Sequence, residues 1–477
     1  MIPLRWTRLA VFGAMMLTAD LAEAKHRTIL ATGRRDPRIY AIDLDQALKP
    51  ENDNTPHAIL SRSLVNPRRL DGTLLGDPAN LVLSEDQRTA FVMNHHGAVV
   101  NAEFLQHGGR ASISVMDVNK MRSRKLDDTD AALLQTFDAG WFGGVGILVV
   151  PGLIVAGYSE GWLSEDGSNR IGLIDRRTGG LRGQIEMPLN TTQAGAVPGT
   201  RQLRSDCAFF PVPFVSPTEP PQIPAGQAFL SDVDPKDFGC WPDPEGLALA
   251  RGSDGKTYLV SGNAGTEDVS IMDFGAARAG ARVVEVGARI PVQTGPFGIR
   301  ANPRGNLVAV TARESNITGK EGNTISIIDV DRARQGQPGA EAARVQVGID
   351  DPKGEARPFT VSWTPDGQRI VVANFRTNNV SIVGVPGNLQ KNPAVEIARI
   401  PLSRADGAPA RPKGTFVTSD GRFAVVTGGA NTLPSLTPTG TVFVIDLRTN
   451  RQVATVTGVG IDPYNLVVVE NLEDDED

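Results

Sequence analysis

Hydrophobic and polar residues alternate along most of the chain in short runs that are separated by turn residues. The clearest example is RPFTVSWTPDGQRIVVANFRTNNVSIVGV, residues 357–385, in which Phe359, Val361 and Trp363 alternate with polar neighbours. Such alternation predicts a β-strand with one buried face. An Asp-Gly turn, a second apolar strand, a polar loop and a third strand rich in β-branched residues follow. The stretch therefore predicts three consecutive antiparallel strands.

The same order of strands and turns recurs along the chain. Six copies begin at residues 77, 141, 243, 295, 357 and 411. Near the N-terminus, ILATGRRDPRIYAIDL holds only a second and a third strand, and the C-terminal DPYNLVVV holds only a first strand. Joined, these fragments make a seventh copy. The chain is therefore predicted to be all-β, and its repeat could form a solenoid, two stacked sandwiches or a propeller. Because a closed ring leaves no sheet edge exposed, the split copy favours a seven-bladed β-propeller with ring closure between the N- and C-terminal strands.

The repeat resembles that of the YVTN-type β-propeller family. The resemblance is carried most plainly by VVANFRTNNVSIV and LVSGNAGTEDVSIMD, and it extends over nearly the whole chain after its N-terminal segment. It implies the propeller fold. Members of this broad group include surface proteins, nucleic-acid binders, lactonases and dehydrogenase subunits, so the resemblance implies no single activity.

The N-terminal residues 1–24 have the features of a signal peptide. Arg5 and Arg8 precede the short apolar run LAVFGAMML, and Ala22-Glu23-Ala24 is a small-x-small cleavage sequence. This run is too short for a membrane anchor, and no later segment approaches the length that a membrane-spanning helix needs. We therefore expect an exported, periplasmic or secreted protein with no membrane span, in which 25–469 form the propeller and 470–477 an acidic, solvated tail.

Residues 190–242 form a Pro-rich insertion that contains both cysteines, Cys207 and Cys240. In an exported protein, two cysteines predict a disulfide. The net charge of −6 argues against a broad nucleic-acid-binding surface, so a protein or a small molecule is the expected partner.

The two faces of the predicted propeller differ in their connections. The turns between the first and second strands are short, for example TPDGQ and TSDGR, whereas the connections on the opposite face are long and include 190–242. Because loops on a rigid scaffold commonly carry function, we expect this loop-rich face to bind a ligand or partner. The alternative is that the long loops simply tolerate insertions.

The openings of the repeats place residues at the mouth of the central channel. The residue after each Pro, or its equivalent, is in chain order Ala79, Gly143, Glu245, Phe297, Phe359, Lys413 and Tyr464. The residues before the Pro include Arg357 and Arg411. Aromatic and charged groups together suit a small polar ligand, although charged pairs across the axis would be a purely structural alternative. The predicted ligand-binding residues are Glu245, Phe297, Arg357, Phe359, Arg411, Lys413 and Tyr464.

One part of the mouth suggests a metal site. Pro244-Glu245-Gly246, followed by Asn263, resembles the metal-binding pattern of gluconolactonase-type propellers, and oxygen ligands of this kind suit calcium or magnesium. No third ligand is identifiable, and a salt bridge from Glu245 to Lys413 or Arg411 is the alternative. His95 and His96 lack a zinc-binding motif.

No phosphate-binding loop, nucleophile elbow or nucleophile–base arrangement stands out in the sequence. We therefore expect a non-enzymatic recognition or scaffold protein without a cofactor. The alternatives are a metal-dependent lactonase or other hydrolase at the channel mouth, and the propeller subunit of a periplasmic redox complex.

Overall fold

A computed structural model shows seven four-stranded antiparallel sheets that are arranged as the blades of a β-propeller. The structure describes residues 27–34, 36–65, 77–98, 110–123, 127–141, 143–158, 169–188, 242–315, 319–429 and 439–470. The predicted fold class is confirmed. The proposed signal peptide, the two cysteines, the acidic residues after Glu470 and most of the long loops lie outside the described residues.

Each blade takes its innermost strand from the start of a repeat copy. Blade 1 contains β1 (Thr28–Thr32), β2 (Arg38–Asp43) and β3 (Ile59–Leu64). Blade 2 contains β4 (Pro78–Leu83), β5 (Thr89–Ala98), β6 (Arg110–Asp117) and β7 (Leu133–Asp138). Blade 3 contains β8 (Gly144–Val150), β9 (Leu153–Tyr158), β10 (Arg170–Asp175) and β11 (Leu181–Glu186).

The remaining blades repeat this order. Blade 4 contains β12 (Pro244–Arg251), β13 (Thr257–Asn263), β14 (Asp268–Asp273) and β15 (Ile290–Pro291). Blade 5 contains β16 (Pro296–Ala301), β17 (Leu307–Ala312), β18 (Thr324–Asp329) and β19 (Glu341–Gln346). Blade 6 contains β20 (Pro358–Trp363), β21 (Arg369–Asn374), β22 (Asn379–Gly384) and β23 (Val395–Pro401). Blade 7 contains β24 (Pro412–Val417), β25 (Phe423–Gly428), β26 (Thr441–Asp446) and β27 (Arg451–Thr457).

The two ends of the chain close the ring. The C-terminal strand β28 (Leu466–Val469) is the innermost strand of blade 1 and pairs antiparallel with β1, with Ala31 opposite Leu466 and Thr28 opposite Val469. The predicted closure is therefore confirmed, and the split repeat copy is its cause. Closure pairs the inner edge of β1, which would otherwise be exposed.

The aspartate that ends the third strand of the repeat begins a short helix in several blades. The helices are α1 (Leu44–Ala47), α2 (Val118–Met121), α3 (Phe274–Arg278) and α4 (Val330–Arg334), and a 3-10 turn follows α1 at Pro50–Asn52. The side chains of Asp43, Asp117, Asp273 and Asp329 accept backbone N–H groups at the helix starts. This N-cap bond satisfies otherwise unpaired donors, which explains the Asp of the V-S-I-I-D pattern.

The hydrophobic core lies mainly between adjacent blades, where apolar faces of neighbouring sheets meet. The innermost strands approach so closely that the glycines after three of the Pro-x openings, at 246, 298 and 414, are required. A Cβ on Gly246 would lie 2.3 Å from the Phe297 carbonyl oxygen, and one on Gly298 would lie 2.5 Å from that of Phe359. The sequence therefore brings the starts of the innermost strands together around one narrow channel.

We call the side of the ring that carries the short first turns the turn face, and the opposite side the loop face. Because successive innermost strands run in the same direction, all first turns lie on one side and all Pro-x openings on the other. None of the described helices is long and apolar enough to cross a membrane.

Candidate functional site

An aromatic cluster fills the channel at the loop face. Phe297, Phe359 and Tyr464 follow the prolines of three blades and contact one another edge to face, with ring centres 4.8, 5.0 and 5.7 Å apart. Phe375 lies 6.0 Å from Phe359. We call these four rings the aromatic floor. Edge-to-face contacts stabilise such clusters beyond their simple burial, so the floor is a rigid platform.

Small apolar side chains complete the floor. Ala79 and Val145 are buried in the same cluster as the four rings. The prediction of Gly143 for the blade 3 position is wrong, because β8 begins at Gly144 and Val145 is the blade 3 residue in this cluster. The GG pair at 143–144 obscured the register, since blade 3 has no proline to mark the opening.

The channel is nearly closed beneath the floor. The cavity there has a volume of about 30 Å³, and it is lined by residues of the innermost strands such as Ala79, Val145 and Phe297. That volume holds about two water molecules. The axis beneath the aromatic floor therefore has room for little more than water, and a larger ligand is expected above the floor, at the loop face.

Two arginines lie over the floor from different blades. The guanidinium of Arg34 lies 4.2 Å from the ring centre of Tyr464, and that of Arg313 lies 4.2 Å from the ring centre of Phe297. Their side chains are only 18% and 13% exposed. Cation–π contacts at this distance hold the guanidinium planes in place, so both groups have fixed positions at the mouth.

Glu245 lies beside Arg313, with Oε2 3.4 Å from Nη1. The carboxylate is buried, and this burial raises the pKa of Glu245, although Arg313 and His95 favour the ionised form. The expectation that Glu245 pairs with Lys413 or Arg411 is wrong. The partner of Glu245 comes from the neighbouring blade instead. Glu245 lies at the start of β12 in blade 4, and Arg313 directly follows β17 of blade 5.

Lys413 has a partner of its own. Its ammonium group forms an ion pair with Asp462, and the two side chains are 2% and 6% exposed. The ammonium also lies 5.4–6.0 Å from the ring centres of Phe359, Phe375 and Tyr464. This buried pair joins blade 7 to the segment that enters β28.

The other two predicted cations lie at the periphery of the floor. Arg357 pairs with Glu314 at 2.5 Å and with Glu321 at 3.0 Å, and it lies 5.0 Å from the ring of Phe375. Arg411 lies 5.7 Å from the same ring. All seven predicted ligand-binding residues thus lie around one channel mouth, but their electrostatic roles differ.

Backbone conformation at the mouth is unusual. Asp243, Arg357 and Arg411, the residues before three of the opening prolines, have φ values of +50°, +52° and +43°. Non-glycine residues in this region cost about 1–3 kcal/mol each and concentrate at functional sites. The surrounding propeller holds all three at the rim.

The metal interpretation finds no support in the surroundings of Asn263. Its Nδ2 donates to Asp268 Oδ1 at 2.7 Å and to Ser270 Oγ at 2.8 Å, while its Oδ1 accepts from Ser261 Oγ at 2.9 Å. The side chain is therefore used inside blade 4. Across the described parts of the chain, no group of three His, Cys, Asp or Glu side chains could hold a metal ion.

The same network recurs in blade 6. Asn374 Nδ2 donates to Asn379 Oδ1 at 2.8 Å and to Ser381 Oγ at 2.7 Å. The Asn and Ser of the repeat thus join the second and third strands of a blade.

Sequence reasoning missed Arg34, Arg313 and Phe375, and it considered His95 only as a zinc ligand and not as part of the channel mouth. Each follows the residue that lies opposite the opening proline, or its equivalent, in the second strand. The backbone N–H of His95, Arg313 and Phe375 donates to the carbonyl of Asp77, Gly295 and Arg357, respectively, which is the residue before the proline. An alignment of the second strands that includes one residue beyond the C-terminal end of each strand would have identified them.

His95 of blade 2 contacts blade 3 and is near enough to Glu245 to favour its ionised form. Its Nδ1 lies 3.3 Å from the Gly144 carbonyl oxygen, and the residue is buried. The mouth thus combines a buried carboxyl, an imidazole and two stacked guanidinium groups above apolar rings.

Comparisons with known proteins support the propeller fold but do not assign a function. No protein-family model matches the chain, and no curated protein shows significant similarity. The YVTN-type resemblance therefore stays a resemblance.

Solved structures, by contrast, match over nearly the whole length. A candidate 6-phosphogluconolactonase from Bacteroides fragilis is 13% identical with a TM-score of 0.55, and the match covers 94% of this chain and 99% of that one. The periplasmic gluconolactonase of Pseudomonas aeruginosa is 14% identical with a TM-score of 0.53, covering 93% and 99%. Hydrazine synthase from Kuenenia stuttgartiensis is 15% identical with a TM-score of 0.50, covering 85% and 98%. At such identities, the likeness shows the propeller fold alone.

Proposed function

We propose that this chain is a periplasmic recognition protein that binds a small carboxylate- or phosphate-bearing molecule at the channel mouth of its loop face. The observation that carries the proposal is the small number of polar contacts made by the guanidinium of Arg313. Among the described residues, its guanidinium makes one ion pair, to Glu245 at 3.4 Å, and donates no hydrogen bond. A nearly buried guanidinium with unused donors is a favourable site for an anion.

The neighbouring cations explain why Arg313 is the anchor. Lys413 is neutralised by Asp462, and Arg357 by Glu314 and Glu321. Arg34 has a longer contact, 3.6 Å to Asp77. An anionic ligand would therefore meet Arg313 and Arg34 from above, with the aromatic floor beneath its carbon skeleton.

Localisation in the periplasm rests on two supports. The N-terminal segment has the sequence of a signal peptide, and a solved propeller of similar fold is named as periplasmic. A protein partner on the long loops of the same face is compatible with this role, and those loops lie outside the described residues.

A second candidate function is lactone hydrolysis. It is favoured by Glu245, since burial raises the pKa of this carboxyl while Arg313 and His95 lie nearby. A carboxyl with a raised pKa can act as a general base or acid near neutral pH. Two of the similar folds are named as gluconolactonases, which makes a sugar lactone the first substrate to try.

Calorimetry with the mature protein tests the proposal. The probes are gluconate, 6-phosphogluconate and the neutral glucono-δ-lactone. We expect the anions to bind and Arg313→Gln to weaken them about 10- to 100-fold, because a charge-assisted hydrogen bond contributes about 1.5–3 kcal/mol. Arg332→Gln, a change of the same kind on the turn face, is the control.

The outcomes separate the two functions. Anion binding without turnover establishes recognition. Proton release from the lactone in a pH-stat, lost in Glu245→Gln, establishes hydrolysis instead. Binding that is unchanged in Arg313→Gln would refute the site.

A further inference from the structure

Polar contacts on the turn face fasten most neighbouring blades to each other. The segment after the third strand of one blade contacts the first turn of the preceding blade. Between blades 4 and 5, Arg334 at the end of α4 lies 3.3 Å from Asp254 and 2.9 Å from Asp331. Asp331 in turn accepts the backbone N–H of Ser253 at 3.0 Å. One arginine and two carboxylates therefore close this junction.

Other junctions use the same device with different residues. Arg176 after β10 pairs with Glu85 in the first turn of blade 2 at 2.7 Å. Arg369, which begins β21 of blade 6, donates to the Leu447 carbonyl of blade 7 at 3.0 Å. Arg122 after α2 donates to Thr28 of blade 1 at 3.1 Å. Polar contacts on the turn face thus join several pairs of neighbouring blades and not only blades 4 and 5.

The junction between blades 3 and 4 departs from this pattern. The first turn of blade 3 consists only of Pro151 and Gly152, where blade 4 has the five-residue GSDGK. Arg278, the last residue of α3 and the counterpart of Arg334, is exposed and has no carboxylate within 4 Å among the described residues. Blade 4 therefore has the arginine of this junction, but the short turn of blade 3 provides no carboxylate to pair with it.

A groove occupies the place of the missing contact. Two cavities of about 600 and 540 Å³ share Pro151 and Arg278 in their walls. Their apolar lining includes Leu153, Leu173, Leu249 and Phe274, and Leu181 at the outer end is 51% exposed. Volumes in this range accommodate peptide side chains or small ligands.

The rim of the groove is basic. Arg182, Lys256, Arg278 and Arg282 line the two cavities, and Asp273 is the single acid among the lining residues. Arg182, Lys256 and Arg282 are each about 60% exposed and pair with carboxylates on this surface. Exposed pairs of this kind are weak, so an incoming carboxylate can exchange with them.

A second junction has a larger cavity but a different balance of charge. Between blades 5 and 6, a cavity of about 890 Å³ is lined by Arg304 and Arg332 but also by Asp329, Glu341 and Asp366. Its charges balance within the molecule. The groove between blades 3 and 4 is therefore distinguished by Arg278, the one cation of its rim that has no carboxylate within 4 Å among the described residues.

We propose that this groove binds an acidic segment of a partner protein that also presents an apolar anchor residue. The carboxylate of the partner takes the position that Asp254 has at the next junction, beside Arg278. The apolar residue of the partner packs against Leu181 and the leucines of the groove. This surface lies on the turn face, opposite the channel mouth, and so it acts independently of ligand binding there.

Fluorescence anisotropy with the full mature protein tests the proposal. The probe is a fluorescein-labelled peptide, LDELDE, and its uncharged counterpart is LNQLNQ. We expect the acidic peptide to bind more tightly, with an affinity that falls as salt is added. Arg278→Glu should weaken it about tenfold or more, because a like charge replaces the attraction. Lys391→Glu on exposed blade 6 surface is the matched control.

Restoring the missing contact provides the complementary test. A variant in which a copy of the 252–256 turn replaces Pro151 and Gly152 should fill the groove, offer Arg278 a carboxylate and abolish peptide binding without loss of thermal stability. Equal affinity for both peptides, or an affinity unchanged by Arg278→Glu or by the grafted turn, would overturn the proposal. Tighter peptide binding to a chain ending at Glu470 would also overturn it, since it would assign the groove to the protein's own acidic tail.

Discussion

The buried ion pair between Lys413 and Asp462 should be a main determinant of ring stability. Lys413 belongs to β24 of blade 7, and Asp462 precedes β28, the strand that closes the ring. Removal of one partner of a buried pair leaves the other charge uncompensated and costs about 3–5 kcal/mol. Lys413→Met keeps most of the side-chain volume, so a cavity adds little to this cost. We therefore expect Lys413→Met to lower the free energy of unfolding by about 3–5 kcal/mol.

Equilibrium urea unfolding, followed by the fluorescence of the buried Trp141 and Trp363, measures this loss. A double-mutant cycle with Asp462→Asn separates the pair from its surroundings. The double variant, which carries neither charge, should be more stable than either single variant. Lys391→Met, at an exposed position, is the control. If Lys413→Met is within about 1 kcal/mol of the wild type, or if the double variant is no more stable than the singles, the pair is not the determinant that we infer.

Two further predictions concern one blade and one junction between blades. Burial raises the pKa of Asp268 from 3.8 to about 6, so the folded state holds a proton that the unfolded state loses, and stability should fall by about 3 kcal/mol as the pH rises from about 4 to about 6. Asp268→Asn should remove this decline in pH-dependent urea unfolding, whereas Asp350→Asn, at an exposed position, should retain it. Arg334→Ala should destabilise by about 1–2 kcal/mol because it breaks the contacts with Asp254 and Asp331, whereas Arg278→Ala should change stability by less than about 0.5 kcal/mol. Equal effects of the two alanine variants on the urea midpoint would contradict the unpaired state of Arg278.

The fold could be predicted from the sequence because the repeat encodes it locally. Alternation, Asp-Gly turns and β-branched third strands each depend on a few adjacent residues. The split copy then determined how the ends meet, and β28 pairs with β1 as expected. The one error of register, at Gly143, arose where blade 3 lacks the opening proline.

The candidate site could be predicted only in part, because its contacts join different blades. The ring residues Phe297, Phe359 and Tyr464 were found since they hold equivalent repeat positions. The partners of Glu245 and Lys413 were not, because an alignment gives positions within a blade and not the reach of side chains between blades. Both partners come from the next blade in the ring: Arg313 for Glu245 and Asp462 for Lys413.

The repeats serve as internal controls for one another, and this gives the two proposed sites their strongest support. The position of Arg313 is occupied by Ala264 in blade 4 and by Gly429 in blade 7, so the fold accepts a small residue at that register. A guanidinium placed there, with no hydrogen-bond acceptor among the described residues, is not required by the repeat. The same reasoning applies to the short turn at Pro151, since the five-residue turn of blade 4 lets Asp254 pair with Arg334 of the next blade. Where a repeat departs from its equivalents and places a guanidinium that donates no hydrogen bond within the described residues, binding explains the departure better than stability does.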